Sequence, residues 1–286
     1  MNDAVGATAG LVATENLLQH LIDELRPLKS VAVAFSGGVD SSVVVAAAAR
    51  SLGSVNVLAV TAKSETLPEQ ELLAATELAC SLNIPHSVIE THELDNDEFC
   101  ANSFDRCYHC KTELWLKLGA LAKSRGISSL ADGVNADDTR DYRPGIRASD
   151  EAGVFHPLEF VGAGKTEVRS LARLLALPNW DKPAQACLSS RFPYGNTISA
   201  EGLRRVEKAE AYLRKQGFIE LRVRDHGDIV RIEVPADMLG ELTTKGNREM
   251  IVNFLKQLGY VYIAVDLEGF RSGSMNEILT DLPRLE

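Results

Sequence analysis

Val31-Ala32-Val33-Ala34-Phe35 runs straight into Ser36-Gly37-Gly38-Val39-Asp40-Ser41-Ser42, and Val43-Val44-Val45-Ala46 follows. The first run reads as a buried strand, the glycine pair as a tight turn, and the last run as a helix opening near Asp40. This order suits phosphate. Two glycines let the backbone approach an anion closely, and the helix start points unpaired N–H groups and the positive end of its dipole at it. The Ser36, Ser41 and Ser42 hydroxyls add donors. An ordinary serine/glycine turn before a helix is the plainer reading of the same residues.

The rest of the first two thirds repeats the pattern. An amphipathic helix over 12–25, carrying Leu17, Leu18, Leu21, Ile22 and Leu25, precedes the first strand. Strands are expected at 55–60, 86–90 and 129–133, and helices at about 68–82, 111–123 and 166–175. Strands alternating with helices imply a parallel sheet with right-handed crossovers, hence a doubly wound α/β domain over residues 1–195. Ligands of such sheets lie beyond the carboxyl ends of the strands, where Ser36 to Ser41, Ser64 and Asp132 to Asn135 fall. The turn is neither a Walker A loop nor a dinucleotide fingerprint. It resembles the SGGxDS loop of the PP-loop ATP pyrophosphatases, a resemblance that implies cleavage of ATP between its α and β phosphates and an adenylylated substrate.

Two polar stretches, 135–153 and 178–196, read as active-site loops. Beyond Asn196 the pattern changes to a helix at about 199–216, strands at 219–223 and 229–234, a helix at about 247–258 and a strand at 261–265, a smaller α+β domain over 196–286. The 286 residues are 45% apolar and 24% charged, ordinary for a globular chain of two domains. The formal charge of −10 splits into 17 basic against 25 acidic residues in 1–195 and 13 against 15 in 196–286, which argues against a broad nucleic-acid footprint. The N-terminus has no basic-then-apolar block and the longest apolar run is too short for a bilayer, so a cytoplasmic protein without membrane or stable nucleic-acid partners is expected.

Five cysteines, at 80, 100, 107, 110 and 187, suggest metal or catalytic chemistry in that compartment rather than disulfides. Cys107-Tyr108-His109-Cys110 has the two-residue gap that lets two thiolates reach one centre. A redox pair, half a zinc site, part of an iron–sulfur site, or two unrelated thiols in a first helical turn all fit it, and with a third cysteine a zinc site could take His109 or water as its fourth ligand. Cys80 stands on a leucine-rich helix and reads as core, Cys100 receives no role, and Cys187 opens a separate loop.

That loop, Cys187-Leu188-Ser189-Ser190-Arg191-Phe192-Pro193-Tyr194-Gly195, together with Asp141-Tyr142-Arg143-Pro144-Gly145, Arg222-Val223-Arg224 and Gly269-Phe270-Arg271-Ser272-Gly273, resembles the LarE family over nearly the whole chain. The resemblance implies ATP-dependent sulfur insertion into pyridinium-3,5-biscarboxylic acid mononucleotide during synthesis of a nickel-pincer nucleotide cofactor. It implies a sulfide donor as partner and a symmetric homo-oligomer. Of the two kinds in that family, the chain is similar to the one with three cysteines, which implies a [4Fe-4S] cluster on Cys107, Cys110 and Cys187 rather than a sacrificial thiol. Ser190, Arg191, Arg222 and Arg224 resemble the pocket for the substrate's phosphate, with Glu210 and Glu233 beside it. Arginines two apart on a strand share a face and their forks suit a phosphate monoester, although a solvated charged strand reads equally from the pattern.

Asp40 is a candidate for Mg²⁺ or for a helix cap, and Lys111, at a helix start where a cation needs an anionic partner, for an ATP phosphate. Asp132, Asp137, Asp138, Asp141 and Arg147 are candidates to orient substrate or metal, whereas His156 before Pro157 reads as structural. Two other activities share the phosphate turn. A tRNA-thiolating enzyme calls for a basic RNA-binding surface that the charge balance does not supply, and an ammonia-using synthetase leaves the three cysteines without a purpose.

Overall fold

The computed structural model describes residues 2–138, 144–183, 185–271 and 274. They divide into two compact units, one of Met1–Asn96 with Phe104–Gln185, the other of Asp97–Ser103 with Ala186–Glu286.

The first unit contains strands β1 (Val31–Ala34), β2 (Val57–Lys63), β3 (His86–Glu90) and β4 (Ser129–Ala131), all parallel, in the spatial order β3-β2-β1-β4. Its main helices are α1 (Asn2–Leu25), α2 (Val39–Leu52) and α3 (Glu69–Ser81); the four-residue α4 (Asp97–Cys100) belongs to the second unit; and α5 (Arg106–Ser124), α6 (Pro144–Glu151), α7 (Pro157–Phe160) and α8 (Lys165–Leu174) complete the first. Strand β1 explains the layering. Val31 and Val33 turn to one side, where Leu21 and Leu25 of α1, Val43 and Ala47 of α2 and Leu171 of α8 form one core. Ala32 turns to the other, against Leu114, Trp115 and Leu118 of α5. A strand covered on both faces has no place for a polar side chain, hence the unbroken apolar run. The chain moves outward from β1 to β3 and then returns to β1's other edge with β4, so the switch point lies between the carboxyl ends of β1 and β4.

In the second unit α9 (Ala200–Lys215), β5 (Arg222–His226), β6 (Ile229–Glu233), the short α10 (Leu239–Leu242), α11 (Lys245–Gln257) and β7 (Tyr262–Val265) form a three-stranded sheet in the order β5-β6-β7 with helices. Ser199 caps α9, its Oγ accepting from Gly202 N. Among the described residues no helix is long and apolar enough to cross a membrane.

Four details depart from the sequence pattern. Helix α5 begins at Arg106, five residues before Lys111, so the cysteine pair stands on a helical turn. Helix α6 occupies part of a stretch expected to be irregular. Strand β5 begins at Arg222 because Ile219 is 75% exposed and burial starts at Leu221. Cys80 is exposed rather than core, since the buried stripe of α3 runs through Ala75, Leu78 and Ala79 and the next residue turns outward.

The division of the chain differs from the cut expected at 195/196. Asn102 is fully buried with φ of +54°, and its side-chain amide donates to the carbonyls of Phe192, Pro193 and Asn196 at 3.3, 2.7 and 3.0 Å. Ile198 N donates to Cys100 O, so residues 97–103 fold with the later segment. Asn102→Ala strands these carbonyls and puts alanine in a left-handed conformation, with an expected loss of about 2–3 kcal/mol in urea unfolding; an unchanged midpoint would show that the clip holds nothing.

Candidate functional site

Strand β1 ends at Ala34, and within four residues the chain has turned into α2. Gly37 makes the turn with φ of +69°, and a Cβ there would lie 3.0 Å from the Ala75 Cα and Cβ of α3. Gly38 is the N-cap of α2 with no side-chain cap. Its carbonyl accepts from Ser42 Oγ at 2.7 Å and Ser41 Oγ at 3.2 Å, and its N–H donates to Ser36 Oγ at 3.3 Å. Ser36 and Ser41 hydroxyls stand 3.3 Å apart. The three hydroxyls therefore gather on one turn, at the amino end of a 14-residue helix.

The loop after β4 closes on this turn. A Cβ on Gly133 would lie 2.7 Å from Ser41 N, so only glycine fits. Asn135 Nδ2 donates to Asp40 Oδ1 at 2.8 Å, which makes Asp40 a tie between the two loops rather than a helix cap. Asn179 and Lys182, which the sequence pattern did not single out, reach in from the segment after α8. Asn179 Nδ2 donates to Gly37 O at 3.1 Å and to Ser42 Oγ at 3.0 Å, while Lys182 Nζ donates to Gly37 O at 3.4 Å and to Glu71 at 2.7 Å. The only hint in the sequence was their place in a turn-rich segment. Ser64, just past β2, engages Thr66 through its Oγ at 2.9 Å. Lys111 has no hydrogen-bond or ion-pair partner among the described residues, and its stem passes Gly145 closely.

The neighbouring acids serve the framework. Asp137 Oδ2 accepts from Lys165 N at 2.8 Å, at the start of α8, and Asp138 faces Lys165 and Asn135 N. Arg147 stacks on Tyr108, whose hydroxyl donates to Glu151 at 2.6 Å. Asp141 lies outside the described residues. His156 is buried between two carboxylates, Nδ1 on Asp132 at 2.7 Å and Nε2 on Asp150 at 3.2 Å. Burial opposes its protonation, yet the bond and charge of Asp132, then those of Asp150, raise its pKa above 6.5.

Cys107 and Cys110 stand three apart in the first turn of α5, so they share a face of that helix. Arg106 Nη2 approaches Cys107 Sγ at 3.9 Å. Cys110 Sγ donates to Oε1 of Glu93 at 3.6 Å, and Thr91 Oγ1 donates to the same oxygen at 3.0 Å. Glu93 is buried, with no hydrogen-bond partner on Oε2. Nothing in the sequence had marked it. Within either unit, the described residues hold no group of three or more His, Cys, Asp and Glu side chains at metal-ligand spacing.

The remaining candidates lie together in the second unit. Cys187 is exposed and precedes a 3₁₀ turn over Leu188–Arg191. Arg191, 1% exposed, donates through Nε and Nη2 to Glu210 at 2.7 and 3.0 Å and through Nη1 to the carbonyls of Ala186 and Cys187 and to Ser190 Oγ. All three of its nitrogens are engaged, so it braces the Cys187 turn instead of presenting an open fork. Burial alone would raise the Glu210 pKa, but Arg191 and then Arg214 hold it below the usual value. Arg224 forks onto Glu233 at 2.9 and 2.7 Å and donates through Nη1 to Ser190 O. Arg222 shares that face of β5, donates to Leu221 O and lies over the Phe270 ring. Burial first, and the charge of Arg191 next, pull its pKa down to about 10. Five guanidinium groups, of Arg191, Arg214, Arg222, Arg224 and Arg231, thus crowd two carboxylates, a local positive excess that favours an anion. A cavity of about 470 Å³ elsewhere in this unit is lined by Phe192, Ser199, Arg205, Asp225 and His226 and includes none of the expected site residues.

A parallel sheet whose switch point carries a serine-rich glycine turn defines the first unit as a PP-loop domain, and residues 11–107 match the NAD synthase family model. The chain is 43% identical over 266 residues to an uncharacterised protein of Synechocystis sp., which covers 93% of it and 99% of that relative. It is 40% identical over 260 residues to the pyridinium-3,5-bisthiocarboxylic acid mononucleotide synthase of Lactiplantibacillus plantarum, 91% of this chain and 94% of that one. An uncharacterised Methanocaldococcus jannaschii protein is 28% identical over 255 residues, 89% and 96% of the two chains. The chain belongs to the LarE family of sulfur transferases and is an enzyme.

Because the folded pKa of His156 is raised, its charged form adds stability that is complete below about pH 6.5 and fades as pH rises through the folded value. Wild-type stability in urea should therefore fall relative to His156→Gln as pH rises above about 6.5. Parallel curves for the two proteins would rule out a charged His156.

Proposed function

We propose that this enzyme uses ATP to adenylylate a carboxylate of pyridinium-3,5-biscarboxylic acid mononucleotide and then inserts sulfur in place of AMP. The observation that carries this reading is the serine-lined glycine turn at the switch point, found in a chain 40% identical over 91% of its length to a synthase named for the bisthiocarboxylic product. The turn's free N–H groups and its hydroxyls suit the β and γ phosphates of ATP, and Lys111 adds charge to the same ligand. Asp40 is fixed through Oδ1 by Asn135, leaving Oδ2 for Mg²⁺. Neutralised in this way, pyrophosphate becomes a good leaving group. A substrate carboxylate oxygen attacks the α-phosphorus, the bond to the bridging oxygen breaks, and pyrophosphate departs. Sulfide then adds to the acyl carbon and expels AMP, which leaves a thiocarboxylate.

The positive face of β5 is suited to the substrate's own phosphate. Arg222 and Arg224 bring positive charge and Ser190 a hydroxyl, while Glu233 keeps Arg224 extended and Glu210 does the same for Arg191. Arg191 acts by holding the Cys187 turn. Cys107, Cys110 and Cys187 would hold a [4Fe-4S] cluster, for which two thiols on one helical turn and one exposed thiol are a fitting donor set. Such a cluster would supply the sulfide that is transferred. Sulfide supplied in this way would permit repeated turnover, with no protein sulfur consumed. Of the two same-loop alternatives, neither thiolation of tRNA nor use of ammonia accounts for both the buried cationic face and the thiols.

Protein prepared without oxygen is expected to contain about four irons per chain and absorb near 400 nm, and Cys107→Ala to lose both. Cys187→Ala is expected to abolish the thiocarboxylate while AMP-forming activation of the substrate persists. Equal loss of both steps, or iron content unaffected by Cys107→Ala, would overturn the assignment. Arg222→Ala should weaken the mononucleotide by about tenfold to a hundredfold and leave its dephosphorylated form unaffected, as loss of a charge-assisted contact requires. The same loss for both ligands would remove the phosphate from that face.

A further inference from the structure

The Gly37–Gly38 peptide is held from behind. Gly37 O accepts from Asn179 Nδ2 at 3.1 Å and from Lys182 Nζ at 3.4 Å. In a trans peptide the carbonyl and the following N–H point in opposite directions. Fixing Gly37 O on the side of Asn179 and Lys182 therefore turns Gly38 N–H the other way, towards Ser36 Oγ, which it reaches only at 3.3 Å. A bond that long is readily exchanged for a better acceptor. Gly37 at φ of +69° belongs to a backbone region in which either peptide orientation is sterically open to glycine, so the sequence of the turn does not choose between them.

Both donors sit on a rigid support. Lys182 N donates to Asn179 O at 3.0 Å, closing a turn, and Trp180 between them carries Arg173 over its ring at 4.2 Å. Glu71 holds the Lys182 ammonium at 2.7 Å. The Asn179 amide cannot be reversed, because its oxygen would then face Gly37 O. In the orientation present, Oδ1 is buried and accepts no hydrogen bond from the described residues, which leaves it for a donor from a ligand or its hydration shell.

We infer that Asn179 and Lys182 are positioning residues for the phosphate turn: by gripping Gly37 O they aim the Gly38 N–H at the phosphates of the nucleotide. This rests on the reading of the turn as the ATP site. Loss of the grip lets the peptide rotate and present a carbonyl to an anion, which costs phosphate binding and leaves adenosine recognition alone.

The test is calorimetric binding of inorganic pyrophosphate with magnesium, and separately of adenosine, to the full chain. Asn179→Asp, which keeps the shape and replaces the donor with an acceptor, and Lys182→Met should each weaken pyrophosphate by about tenfold, equivalent to ~1.4 kcal/mol, with adenosine unchanged. Lys182→Arg, retaining a cationic donor, should restore most of the affinity. In turnover the same variants should raise the KM for ATP more than they lower kcat. Unchanged pyrophosphate binding in both variants, or equal weakening of both ligands, would overturn the inference alone. A wild-type chain that binds no pyrophosphate would overturn the ATP reading and this inference with it.

Discussion

The close approach of the β4 loop to the first turn of α2 governs the first unit. Ser41 N would lie 2.7 Å from any side chain at Gly133, and Ala75 meets Gly37 at 3.0 Å on another side. These contacts leave no room for a side chain at either glycine, so the chain keeps this path only with glycine at both positions. Parallel pairing of β1 with both β2 and β4 brings these segments together, since a strand buried on both faces and both edges has one position in the sheet. The hydrogen bond from Asn135 to Asp40 then joins the two strand ends that flank the switch point.

The second unit depends on a different balance. Guanidinium groups buried beside Glu210 and Glu233 lose hydration, and each fork recovers it through paired bonds to a carboxylate. Such pairs add little net stability but are costly to break, so they fix where Arg191 and Arg224 stand. Burial first, and the charge of Arg191 next, pull the Arg222 pKa down to about 10. An anion bound there would offset the repulsion among these cations.

Among the described residues of the first unit, two buried polar atoms without a hydrogen-bond partner stand at chemistry-bearing places. Glu93 Oε2 lies beside Cys110, and Asn179 Oδ1 beside the glycine turn. Elsewhere in that unit the polar atoms serve the frame, as in the Asp132–His156–Asp150 bridge or Asp137 at the start of α8. Asp132 and Asp137 are therefore structural neighbours of the site, which their position in the sequence alone did not separate from ligands.

The sequence by itself determined the α/β layering, the phosphate turn, the cysteine pair and the shared face of Arg222 and Arg224, because each is a local matter of period, turn chemistry or spacing. Tertiary structure alone decided what those groups face. Asn179 and Gly37 are 142 residues apart and Arg191 and Glu210 are 19 apart, and no local pattern encodes such pairs. The start of α5 at Arg106 and the membership of residues 97–103 were settled likewise, by Asn102 and its distant carbonyls and by packing rather than by propensity. Period and turn residues are written along the chain, whereas the partner of a buried polar group is set only when the sheet order and the core bring distant segments within hydrogen-bond reach.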